Sequence, residues 1–216
     1  MPDAYFWEYK LEAEMLCLGE RVKKGTFRPT LLTIPSTQAT GAVRAASGRE
    51  DLWALGFLED AYLRHPQIER FVYAPRDKAT DISKLPLEME ILRDARARVF
   101  VRSVNDAPPF QTLDIQLGAF RARGFGAARL TLNARPVSLA RKMGELKSRL
   151  LEKEASLLGI TQIAKPLYGY MFQPNPRGDE YALTGRYLRA LLEKSLVCGY
   201  EFILNVRGEC AEPRAA

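Results

Sequence analysis

The sequence predicts an α+β fold, and three observations carry that prediction. Residues 5–17 alternate without a break. Tyr5, Trp7, Tyr9, Leu11, Ala13, Met15 and Cys17 lie on one side, and Phe6, Glu8, Lys10, Glu12, Glu14 and Leu16 on the other. This is the period of a half-buried strand. A helix-opening segment of small residues follows at 34–46, and strand-like and helix-like periods interleave down to residue 206. The 216 residues are 47% hydrophobic and 10% aromatic. That is enough for a buried core, and it excludes a disordered tail, a collagen-like repeat or a disulfide-dependent miniprotein.

A basic loop with Lys23, Lys24 and Gly25 comes after the first strand, then a short extended run over 30–34. Pro35 ends that run, and Ser36 or Thr37 is placed to cap a helix. Its start presents unpaired N–H groups and a positive dipole end, a natural seat for phosphate. The spacing of Trp53, Phe57, Leu58 and Tyr62 predicts a helix over 52–63. Residues 71–74, 85–92 and 97–104 are expected as strands, the last two joined by a turn at 93–95. Phe110, Leu113, Leu117 and Phe120 have helical spacing and lead into Gly118-Ala119-Phe120-Arg121-Ala122-Arg123-Gly124-Phe125-Gly126. A strand over 127–132 then completes a β-α-β-β-α-β, ferredoxin-like unit. The helix at 52–63 and the strand at 71–74 would be insertions. Beyond it, Leu139, Met143, Leu146, Leu150 and Leu157 predict a helix starting at Pro136. A strand over 167–172, a loop over 173–180, a helix opened by Thr184 and a closing strand over 200–206 follow. The expected division is a core over 1–135 and a C-terminal α/β extension over 136–216 packed on it, the alternative being one compact unit.

The net charge of +6 is unevenly distributed. Residues 21–49 hold six basic side chains and no acid, and 118–149 hold eight against Glu145 alone. These stretches carry +13 and the rest of the chain −7. Two such stretches point to one basic surface if the fold joins them, and to two solvated faces if it does not. Cys17, Cys198 and Cys210 are odd in number and lack a C-x-x-C pair, so they read as ordinary residues of a reducing cytoplasm. No apolar run approaches membrane-spanning length. The N-terminus has no basic segment of a signal peptide, so a cytoplasmic, membrane-free protein is expected.

The glycines of 118–126 come after an expected helix and before a strand, the reverse of a dinucleotide fingerprint. No Gly-Lys-Ser/Thr of a Walker loop stands there. Gly124 and Gly126 would let a backbone approach a ligand closely. Arg121, Arg123 and Arg129 supply guanidinium groups and Phe125 a ring, a set that suits single-stranded nucleic acid. The alternative is a tight turn with no ligand. His65 is the sole histidine, in an expected loop. The acidic pairs Glu59-Asp60, Glu88/Glu90 and Asp179-Glu180 match no metal-binding spacing, and no cofactor is expected.

Helix, glycine-rich loop with Gly-Phe-Gly, then strand resembles the RAMP superfamily of CRISPR effector complexes. In that family a segment Ile-Pro-Gly-Ser-Ser-x-x-Gly-Ala-x-Arg opens the first helix. Here Ile34-Pro35-Ser36-Thr37-Gln38-Ala39-Thr40-Gly41-Ala42-Val43-Arg44 holds that place, with Ser36-Thr37-Gln38 instead of Gly-Ser-Ser. The size, Tyr168-Gly169-Tyr170 and the run from Gly185 to Leu191 look most like the small capping subunit of a type IV complex. The resemblance implies a non-catalytic subunit that grips the 5′ handle of the CRISPR RNA and meets a backbone subunit, with target DNA engaged indirectly through the guide. The residues expected on RNA are Lys23, Lys24 and Arg28, then Ser36, Gln38 and Arg44. Arg121, Arg123, Gly124, Phe125, Gly126 and Arg129 follow in the glycine segment, with Arg141 and Lys142 beyond it. No Asp stands where target-cleaving backbone subunits carry one. One rival is a metal-independent endoribonuclease from the same superfamily using His65, Tyr187 and Lys142. The other is an unrelated ferredoxin-like interaction domain.

Overall fold

The computed structural model describes residues 5–19, 26–74, 76–77, 79–83, 85–121, 124–133, 137–174 and 185–210. Strand β1 (Tyr5–Leu16) lies inside a sheet that has seven strands among the described residues. Along one edge it pairs antiparallel with β5 (Leu87–Ser103), from Tyr5 opposite Ser103 to Leu16 opposite Leu92. Along the other it pairs with β7 (Ala127–Leu132), and β6 (Thr112–Gln116) lies beyond β7. Strands β3 (Trp53–Leu58) and β4 (Ile68–Tyr73) pair with successive stretches of β5. A short β2 (Phe27–Arg28) pairs parallel with its start.

Around β3 and the start of β1, both faces of this sheet are covered. On one, Tyr9, Leu11, Ala13, Val99 and Val101 pack with Ala39, Ala42 and Val43 of helix α1 (Ser36–Ser47). On the other, Phe6, Trp53, Leu55, Phe57 and Phe100 share a core with Leu146, Leu150, Leu191, Val197, Phe202 and Leu204 of the C-terminal third. Phe202 stacks on Phe100 at 4.5 Å and meets Phe6 at 5.1 Å between ring centroids. Aromatic pairs of this kind contribute about 0.5–1.5 kcal/mol beyond area burial. The alternation of 5–17 is therefore a real strand with Tyr9, Leu11, Ala13 and Cys17 buried, but Phe6, Glu8 and Leu16 are buried too. Glu8 is tolerated because Arg98 Nε donates to its Oε1 at 2.7 Å.

Two-sided cover also explains the corrections to the predicted elements. Residues 53–58 are a strand rather than a helix. All six are buried, and a short apolar run buried on both faces has no period to distinguish it. Only the short α2 (Asp60–Arg64) remains of that helix. The expected turn at 93–95 does not interrupt β5, and exposed Asp94 at φ 46° is its one trace. The expected extended run over 30–34 is reduced to a single bridge between Ile34 and Gly56.

Residues 112–116 form β6, so the second helix of the β-α-β-β-α-β order is not formed there. Its true period is two, with Ile115 and Leu117 buried and Asp114 and Gln116 outside.

The extension is made of strands and short 3-10 turns rather than helix-strand-helix-strand. Strands β8 (Arg141–Leu146), β10 (Gln162–Lys165), β13 (Leu196–Tyr200) and β14 (Leu204–Gly208) form a sheet in the order β10-β13-β8-β14. The short β9 (Leu150–Leu151) pairs with β12 (Gly185–Leu191), which forms a hairpin with β11 (Tyr168–Pro174). The helices expected from Pro136 and Thr184 are thus β-structure. Their apolar residues satisfy a helical spacing, yet Met143 and Leu146 lie on β8, Leu150 on β9 and Leu188 and Leu191 on β12, while Leu157 lies in a 3-10 turn and Leu139 is exposed. A further correction concerns sulfur. Cys198 and Cys210 form a disulfide, with Cα atoms 5.6 Å apart, while Cys17 is free and buried. No helix of the described residues is long and apolar enough to cross a membrane.

Candidate nucleic-acid interface

Helix α1 begins directly after Pro35, which occupies the N-cap without a side-chain cap. Ser36 does not cap it as expected. It is fully buried, and its Oγ donates to Glu154 Oε2 at 2.7 Å while its N–H donates to the Arg149 carbonyl at 3.1 Å. These bonds lock the helix start against the C-terminal third. The first turn contains no acid of its own, and the Glu154 carboxylate held by Ser36 lies at the positive end of the dipole.

The glycine segment is sewn to the end of β1. Ala119 N–H donates to the Cys17 carbonyl and Gly126 N–H to the Met15 carbonyl, each at 2.8 Å; Leu117 N–H donates to the Gly126 carbonyl at 2.8 Å. Gly126 has φ +88°, and a Cβ there would stand 2.2 Å from the Leu117 oxygen. Gly124, at φ +86°, faces open space. Gly126 is therefore required by the turn itself. Phe125 is a correction. Its ring is buried with Cys17, Met89 and Ile91 and meets Phe71 edge-on at 5.4 Å, which leaves no face for a base.

Three chain segments meet at a cleft of about 410 Å³. The start of α1 supplies Thr37, Gln38 and Gly41, the glycine segment Gly118 and Arg121, and the β11–β12 hairpin Tyr170, Phe172 and Tyr187. Arg149 lies in its wall, and among the described residues no acidic side chain lines it. Arg149 Nη2 is 2.8 Å from Glu193 Oε1. Burial pushes the Glu193 carboxyl upward, but the hydrogen bond from Arg149, a backbone hydrogen bond and the charges of Arg149 and Lys194 together outweigh it and hold the group below the ordinary value. Among the described residues the Gln38 side-chain oxygen, sealed from solvent, has no hydrogen-bond partner.

The fold joins only part of the expected set. Gln38 and Arg121 line the cleft, and Ser36 and Gly126 build it. Lys23, Lys24 and Arg123 lie outside the described residues. Arg28 is on β2, half-buried. Arg44 Nε donates to the Leu52 carbonyl at 2.7 Å, and Nη1 is 3.6 Å from Glu50. Arg129 pairs with Asp114 at 2.8 Å in a separate groove with Glu12 and Glu14. Arg141 lies over the Tyr200 ring and Lys142 pairs with Glu209, both on β8. Of His65, Tyr187 and Lys142, only Tyr187 lines the cleft. Among the described residues no three His, Cys, Asp or Glu side chains cluster to hold a metal.

Sequence reasoning did not place the hairpin at the site. Tyr168, Tyr170 and Phe172 were legible as one strand face, but their partner Tyr187 is revealed only by the pairing register.

No protein-family model matches the chain, and no curated protein matches it in sequence. Solved structures do match in fold. A chain of the type III-B Cmr-beta complex bound to cognate target RNA and AMPPnP aligns with a TM-score of 0.58 at 13% identity, covering 88% of this chain and 86% of that one. A second structure of Cmr-beta bound to cognate target RNA aligns with a TM-score of 0.56, at the same identity and coverage. The chain thus shares its mixed, mostly β fold with a subunit of those complexes.

Proposed function

We propose that this chain is a non-catalytic CRISPR RNA-binding subunit of a multisubunit effector complex. In this reading it grips the 5′ handle and caps one end of the assembly, as in type IV complexes, next to a backbone subunit. Sequence matching to target DNA is left to the guide. The observation that carries the reading is the cleft. The two segments that resemble RAMP motifs, far apart in sequence, meet in one concavity with Arg121, lined by no acidic side chain among the described residues. The fold shared with Cmr-beta chains supports the same class of partner.

Binding of a single-stranded repeat-derived RNA, titrated over a range of salt, tests the reading. Each phosphate contact on a single strand contributes about −0.7 to the slope of log affinity against log salt, so Arg121→Ala flattens that slope by about 0.7. Incubation in EDTA leaves the RNA intact. An unchanged slope and affinity in Arg121→Ala, or cleavage of the RNA, refutes the proposal.

A further inference from the structure

Tyr168, Tyr170 and Phe172 share one face of β11, and register places Arg189 opposite Tyr170 and Tyr187 opposite Phe172. The reverse face is internal, where Met171 and Ala190 pack with Leu151. On the outer face Tyr170 is 68% exposed and Tyr187 46%. The Arg189 guanidinium lies 3.7 Å from the centre of its ring and is also held by Glu152 at 3.3 Å, so one face of Tyr168 is occupied. Phe172 and Tyr187 meet edge to face at 5.5 Å. Tyr170, Phe172 and Tyr187 are the three rings that also line the cleft.

We infer that Tyr170 and the Phe172–Tyr187 pair form a base-stacking platform for single-stranded RNA that continues the cleft. Aromatic faces accept any base, and stacking is the usual way proteins hold unpaired nucleotides. Charge selects RNA over a protein strand as the occupant. The cleft beside these rings carries the exposed Arg121, and among the described residues no acidic side chain lines it. Tyr168, capped by Arg189, is not part of the platform. The inference rests on the RNA reading above, and its test separates the two.

The test is fluorescence anisotropy of a labelled single-stranded oligouridine with the full chain. Tyr170→Ala and Tyr187→Ala each weaken binding by roughly 5- to 150-fold, the range for loss of one stacked base, with the salt slope unchanged. Tyr170→Phe retains affinity, and Tyr168→Ala stays within about two-fold of the parent, as for a surface change. An abasic oligomer abolishes the difference between Tyr170→Ala and the parent. The platform is overturned if Tyr170→Ala and Tyr187→Ala bind like the parent while Arg121→Ala does not; the RNA reading then stands. It is equally overturned if Tyr170→Ala loses a stoichiometric protein partner but keeps its RNA affinity. If the parent chain binds no single-stranded RNA, the RNA reading fails and the platform with it.

Discussion

Gly126 and Gly124 provide a paired test of how the glycine segment is built. Both have strongly positive φ, so alanine at either position meets the backbone strain of an L-residue there, about 1–2 kcal/mol. At Gly124 the new methyl group enters open space, so strain is the whole effect. At Gly126 it would stand 2.2 Å from the Leu117 carbonyl oxygen, closer than real contacts allow. The turn must shift, and that shift disrupts the bonds from Gly126 N–H to Met15 and from Leu117 N–H to Gly126, each 2.8 Å. Two such hydrogen bonds are worth roughly 1 kcal/mol apiece. Gly126→Ala therefore destabilises by about 3–4 kcal/mol and Gly124→Ala by about 1–2. In a domain of this size 1 kcal/mol moves Tm by about 2–4 °C, so the two variants fall by roughly 6–16 °C and 2–8 °C. Thermal unfolding followed by circular dichroism measures both. Equal losses at the two positions would refute the claim that the segment is a packed turn anchored at Gly126.

Phe125→Ala empties a buried aromatic site between Cys17, Met89 and Ile91, so it lowers stability by about 3–5 kcal/mol. RNA affinity of the folded fraction is retained; lost affinity at unchanged Tm would show the ring to be a ligand contact. For Glu193 the sign follows from its lowered pKa. The ion pair with Arg149 contributes fully above the ordinary value of 4.5 and is lost as pH falls through the lower folded value. The Tm gap between the parent chain and Glu193→Gln is therefore constant above about pH 5 and shrinks on acidification. A gap that persists unchanged to pH 3 would contradict this linkage.

Some of this protein was determined by sequence alone. Thirteen alternating residues have one solution, an extended strand, because no helix places Tyr9, Leu11 and Ala13 on one side. The break at Pro35 and the small residues after it likewise determined α1, since proline ends the run and fits the helix start. The positive-φ turn at 118–126 was legible in its glycines.

Tertiary structure decided the rest. Residues 53–58 and the leucines after 136 carry apolar spacings that fit both a helix and a doubly buried strand. Only the partner decides, and here the partners are β5 for the first and neighbouring strands for the second. The site divides in the same way. Its charged and glycine-rich segments were visible, but which arginines remain available was decided by contacts distant in sequence. Arg129 met Asp114 and Lys142 met Glu209, while Arg121 was left at the cleft. The aromatic hairpin arrived there through register alone, because a one-residue slip would turn Tyr170, Phe172 and Tyr187 into the core.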